Sequence, residues 1–87
     1  MSLMADAASE LLIRKLRWRC RRGTRELDVL LSGFLANHYR SLEPDLQSAF
    51  QALLDNEDDQ LWDWLTGRRP ATEQDLREIV DVIRRTT

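Results

Sequence analysis

Residues 14–28 read R-K-L-R-W-R-C-R-R-G-T-R-E-L-D. Seven are basic (Arg14, Lys15, Arg17, Arg19, Arg21, Arg22 and Arg25), two carboxylates follow (Glu26 and Asp28), and Gly23 stands at the joint between two helical patterns. Glycine takes positive φ without steric cost, so the chain is expected to leave one helix at Gly23 and begin the next within a residue or two. The stretch is therefore read as a tight corner between two helices, and the fold as built outward from it. Bases packed at such a corner with acids just beyond them admit two readings. Either Arg22, Glu26 and Asp28 pair and cap the joint, or the corner faces a partner.

On the N-terminal side, Leu12, Leu16 and Cys20 recur every four residues with Ile13 beside them, predicting a helix from about Ser9 to about Arg22. Trp18 lies off that stripe and either widens the buried face or stands among the arginines. On the C-terminal side, Thr24 is the expected N-cap, with Glu26 and Asp28 in or near the first turn, where the helix dipole favours negative charge. Leu27, Leu30, Leu31, Phe34, Leu35, His38 and Leu42 then form the longest apolar stripe in the chain, marking the central helix. Gly33 inside it costs roughly 1 kcal/mol against alanine, which suggests that another helix crosses closely there.

Three further helices follow. Pro44 suits the first position of one whose buried face is Leu46, Phe50, Leu53 and Leu54. A short one runs from about Asp58 to Thr66 with Leu61, Trp62, Trp64 and Leu65, stopped by Gly67 and Pro70. The last starts at Thr72 with Asp75 as a capping-box partner, carries Leu76, Ile79, Val80 and Ile83, and ends on Arg84 and Arg85. No run has the alternation of a strand. The expected fold is all-α, a small antiparallel bundle of about five helices forming one domain over residues 9–87. Residues 1–8 are expected to be disordered or an expression leader, since Met1-Ser2-Leu3 precedes a second methionine.

The totals narrow the function classes. With 87 residues, 43% apolar and 32% charged, the chain suits a single soluble globular domain. A net charge of −2 argues against general nucleic-acid binding. Charge is segregated, however. Residues 14–25 hold seven bases and no acids, and residues 43–63 hold seven acids (Glu43, Asp45, Asp55, Glu57, Asp58, Asp59, Asp63) and no bases. The two regions either face each other inside the fold or one faces a partner. A lone cysteine, Cys20, fits a reducing compartment and reads as a small core residue. No apolar run approaches the roughly 18 residues of a membrane-spanning helix. One Cys and one His make no structural zinc set, and His38 reads as a core-edge histidine. Asp55, Glu57 and Asp59 alternate like a calcium loop, but Gln60 replaces the turn glycine and Thr66 the bidentate glutamate. No phosphate loop or nucleophile elbow is present, so an enzyme has little support. Two binders remain: a protein-docking module, or a small helical nucleic-acid-binding or regulatory protein using the basic corner. The carboxylates Glu26 and Asp28 would repel phosphate, which favours the protein partner.

The residues carry a resemblance as well. Arg22-Gly23-Thr24-Arg25-Glu26 fits the RGxxE signature of the SdhE-type FAD assembly factors, the succinate dehydrogenase assembly factor 2 family. The match extends over W-x-C-R-R-G-x-x-E-L-D from Trp18 to Asp28, then Phe34, Tyr39 to Leu42, Phe50 to Leu54, and D-x-L-W-D-W-L from Asp59 to Leu65. The resemblance implies a chaperone-like factor, not an oxidoreductase. It would bind the flavoprotein subunit of succinate dehydrogenase, or of fumarate reductase in bacteria, and promote covalent attachment of FAD. It places Trp18, Arg21, Arg22, Gly23, Arg25, Glu26 and Asp28 at the partner interface, with Arg22 making bidentate contacts to the client, Gly23 admitting the client's backbone, and Glu26 answering a client base or holding Arg22 in place. FAD is then the client's cofactor and none is held stably by this chain. The expected state is a free monomer with no membrane insertion, in the cytoplasm of a bacterium or the mitochondrial matrix of a eukaryote.

Overall fold

The computed structural model describes the backbone of residues 3–86 and the side chains of residues 9–86. Five α-helices follow in order: α1 (Leu3–Arg19), α2 (Arg25–His38), α3 (Pro44–Leu53), α4 (Asp58–Leu65) and α5 (Gln74–Thr86), with one 3₁₀ turn (Tyr39–Ser41) between α2 and α3. The fold is all-α, a small helical bundle, as the periodicity predicted. α2 packs against α1 and α4, and α5 covers α3 and α4. Leu16, Leu27, Leu31, Phe34, Phe50, Leu53, Leu61, Ile79 and Ile83 are fully buried, so all five helices feed one core. Phe34 and Phe50 stack at 5.4 Å, and Tyr39 lies 5.6 Å from Phe50, joining α2 to α3 through aromatic contacts.

Local rules account for most helix ends. Thr24 caps α2 as expected: it is extended, and its Oγ1 accepts from the Leu27 N–H at 3.4 Å. Pro44 opens α3. The α4 helix ends at Leu65, and Gly67 follows with φ +81°, the left-handed conformation that favours glycine.

Several expectations are corrected. α1 begins at Leu3, ahead of Ser9, and stops at Arg19, three residues before Arg22, because the next amides bond elsewhere: Arg21 N–H returns only to Trp18. Its buried stripe is Ile13, Leu16 and Cys20, while Leu12 is 37% exposed; the spacing is three then four, which follows the 3.6-residue repeat better than four and four. α2 ends at His38, where the chain tightens into the 3₁₀ turn, so Leu42 reaches the core from beyond the helix. α5 starts at Gln74, with the Glu73 carbonyl accepting from Arg77, two residues after Thr72. No helix crosses at Gly33: a Cβ built there meets nothing within 4 Å. His38 is half-buried, with its ring 5.4 Å from Phe34, at the core edge where the pattern put it. Among the described residues no helix is long and apolar enough to cross a membrane.

Candidate functional site

The basic corner and the acidic region meet. Arg22 leaves the end of α1 and reaches across to the α3–α4 connection, 14% exposed. Its Nε donates to Asp58 Oδ1 at 2.7 Å, Nη1 donates to the carbonyls of Arg19 and Leu54 at 3.1 Å each, and Nη2 donates to the carbonyl of Asn56 at 2.5 Å. A guanidinium has five N–H donors in a fixed fork. Here that fork is turned inward and closes the end of α1 onto the end of α3. Arg19 repeats the gesture nearby, donating from Nη2 to the Gln51 carbonyl at 3.1 Å and pairing with Asp55.

Asp58 is the second half of the joint. Its Oδ2 accepts from the Gly23 N–H at 2.7 Å while Oδ1 holds Arg22, so one carboxylate grips the side chain of one residue and the backbone of the next. The Arg22 hydrogen bond, and then the Gly23 N–H, hold the Asp58 carboxyl below the usual carboxylate range. Gly23 does not have positive φ; a Cβ there would stand 2.9 Å from Asp58 Oδ2. The glycine is required by the carboxylate beside it and not by the turn. Asp28, on the first turn of α2, accepts from the Arg22 backbone N–H, so the corner is held from three elements.

The two readings of the corner are thus each partly met. Arg22 and Asp28 do cap it, but Glu26 takes no part in that pairing, and the residue that orders Arg22 is Asp58. Among the described residues neither Arg25 nor Glu26 makes an ion pair, and both are exposed. They line a groove with Val29, Leu30 and Trp62, in which Val29 is 65% exposed. Trp18 stands among the arginines, 71% exposed, with the Arg21 guanidinium 5.3 Å from its ring centre. The seven residues read from the sequence therefore divide by direction: Arg22, Gly23 and Asp28 are tied inside the corner, and Trp18, Arg21, Arg25 and Glu26 point to solvent. Asp58 was missed because it lies 35 residues from Gly23; the opposed charge blocks were its only trace in the sequence.

Cys20 sits beneath this corner, fully buried. Burial pushes its thiol up to about 11, outweighing the nearby Arg22 and Arg19 charges, which suits a core residue and not a nucleophile.

Comparison with known proteins agrees with the geometry in singling out this region. Residues 14–87 match the family described as the flavinator of succinate dehydrogenase. The chain is 40% identical over 67 residues to the FAD assembly factor SdhE of Coxiella burnetii, covering 77% of this chain and 82% of that protein. It is 44% identical over 70 residues to the protein of the same name from Legionella pneumophila strain Paris, covering 80% and 87%. It is 38% identical over 76 residues to that of Pseudomonas aeruginosa, covering 87% and 90%. At this identity and coverage, the chain belongs to the succinate dehydrogenase flavinator family, the SdhE-type FAD assembly factors.

Proposed function

We propose that this protein is an assembly factor that binds the flavoprotein subunit of succinate dehydrogenase, or of fumarate reductase, and promotes its covalent flavinylation. The observation that carries the reading is that, in a member of this family, the signature corner is internally braced and leaves Arg25 and Glu26 exposed and unpaired beside an apolar groove. A preorganised surface of this kind binds without the entropy cost of ordering itself. The factor holds the client so that flavin and acceptor side chain stay aligned, and the bond-forming chemistry remains the client's own. The chain acts as a chaperone and not as an enzyme. It acts as a monomer in the cytoplasm, where its client folds, and FAD is bound by the client.

The test is a flavinylation assay. Apo-flavoprotein subunit of succinate dehydrogenase is mixed with FAD with and without the protein, then denatured, and flavin fluorescence is read on the gel band. Faster covalent labelling with the wild type, lost with Glu26→Ala or Arg25→Ala at unchanged melting temperature, is the expected result. Equal labelling with and without the wild-type protein overturns the reading.

A further inference from the structure

We infer that Asp58, outside the signature, is a positioning residue for it: by bridging Arg22 Nε and the Gly23 N–H, it fixes the backbone that aims Arg25 and Glu26 at the client. This inference rests on the docking reading above. Three features of the structure carry it. First, both carboxylate oxygens are engaged, each at 2.7 Å, on consecutive residues of the corner. A two-point grip sets both the place and the orientation of the peptide between Arg22 and Gly23. Second, Gly23 is compatible with this grip only as glycine, since a Cβ there falls 2.9 Å from Oδ2. The first two signature residues are thus shaped to receive Asp58. Third, Thr24 begins α2 immediately afterwards, so any shift of the Gly23 peptide is passed to the first turn of α2, which carries Arg25 and Glu26. The signature is then a device in two halves. Arg22 and Gly23 are the inner half, read by Asp58, and Glu26 is the outer half, read by the client.

Asp55 provides the matched control. It too is an acid at the α3–α4 connection paired with a corner arginine, but its partner is Arg19, its side chain is 75% exposed, and it makes no recorded hydrogen bond to the corner backbone. Removing it changes the same charge without releasing Gly23.

The experiment uses the full chain with Asp58→Ala, Asp55→Ala, and Val80→Ala, a buried α5 change that lowers stability away from the corner. Affinity for the apo-flavoprotein subunit is measured well below every melting temperature, and amide exchange is measured on the free proteins. Asp58→Ala is expected to speed exchange at Gly23 by about tenfold or more and to weaken client binding by about tenfold or more. Asp55→Ala and Val80→Ala are expected to stay within about twofold of wild type in binding. Gly23→Ala should be partly rescued in the Asp58→Ala background, because the colliding oxygen is gone. Unchanged Gly23 exchange, unchanged binding by Asp58→Ala, or equal loss in Val80→Ala overturns the inference. If Glu26→Ala abolishes binding while Asp58→Ala does not, docking at the corner stands and the positioning role falls. If the wild type itself neither binds nor flavinylates the client, the docking reading falls and takes this inference with it.

Discussion

Two glycine corners lie in this small bundle, and they are built on opposite principles. At Gly67, after α4, the backbone itself requires glycine: φ is +81°. The turn is closed by local bonds, from Gly67 N–H to Trp64 and from Arg69 N–H to Asp63. At Gly23, after α1, the backbone is ordinary and the requirement comes from a carboxylate 35 residues away. The first kind of corner is written in a few consecutive residues. The second is written in two distant segments and becomes visible only when the chain has folded. The difference matters for function, because a corner held from a distance brings three elements together at one place, and this is the corner that carries the family signature.

The largest effect that would break this comparison comes from Arg22→Ala. The change strips donors from the carbonyls of Arg19, Leu54 and Asn56 and leaves Asp58 without its guanidinium. Removing one partner from buried polar groups is the expensive direction, here about 3 kcal/mol. For a domain of this size that is a fall of roughly 15 °C in melting temperature, read by circular dichroism. A fall of only a degree or two would mean that the corner does not depend on the clamp.

Much of this architecture was legible in the sequence. Apolar spacing gave five helices, Thr24 and Pro44 gave two starts, and Gly67 with Pro70 gave a stop, because each rule acts over a few residues. The misreadings share a cause. Leu12 was placed inside because four-residue spacing was followed too strictly, when a 3.6-residue repeat favours Ile13. Gly33 was assigned a helix crossing from its composition alone, and no neighbour is there. Gly23 was assigned a positive φ because that is the usual local reason for a glycine at a helix end. For the candidate site, the residues of the corner were found, but their direction was not. Whether Arg22 points in or out depends on Asp58, Leu54 and Asn56, and no periodicity links positions so far apart. Only the facing blocks of seven bases and seven acids hinted that the two segments meet.

The two glycines can be told apart directly. Gly67→Ala is expected to cost about 1 kcal/mol, mainly from forcing a side-chain-bearing residue into positive φ, since the atom its Cβ would meet is the mobile end of Arg84. Gly67→Asn should cost less, because asparagine tolerates that conformation. Gly23→Ala is also expected to cost about 1 kcal/mol, through loss or lengthening of the Asp58 contact. Gly23→Asn should be no better than Gly23→Ala, since the collision occurs at Cβ. Chemical denaturation of the four variants separates the cases; rescue by asparagine at position 23 would show that the carboxylate is not the constraint.

Acid offers a second separation. The Asp58 carboxyl is held below its ordinary value of 3.8 in the folded protein, first by the Arg22 hydrogen bond and then by the Gly23 N–H. A group with a depressed folded pKa contributes stability above its unfolded value, and that contribution is lost as pH falls through the folded value. The melting temperature should therefore drop as pH falls below about 3.8, and Asp58→Asn should be less stable at neutral pH with a shallower acid dependence. An acid profile identical in Asp58→Asn and wild type would assign the effect to other carboxylates.

The smallest expected effect tests whether charge alone explains the corner. Asp55 pairs with Arg19 much as Asp58 pairs with Arg22, and a count of ion pairs would rank them equally. Their surroundings differ. The Asp55 side chain is 75% exposed against 34% for Asp58, and Arg19 keeps its 3.1 Å bond to the Gln51 carbonyl whether or not Asp55 is present. Asp55→Ala leaves no buried group unpaired, and water replaces the lost contact on both sides. The expected cost is about 0.5 kcal/mol or less, shrinking further with added salt. A loss comparable to that of Arg22→Ala would mean that opposed charge blocks as a whole hold the corner. A near-silent result, beside a large one for Arg22, locates the grip in the inward-turned guanidinium and the two-point carboxylate, which is what a corner needs to present Arg25 and Glu26 in one fixed direction.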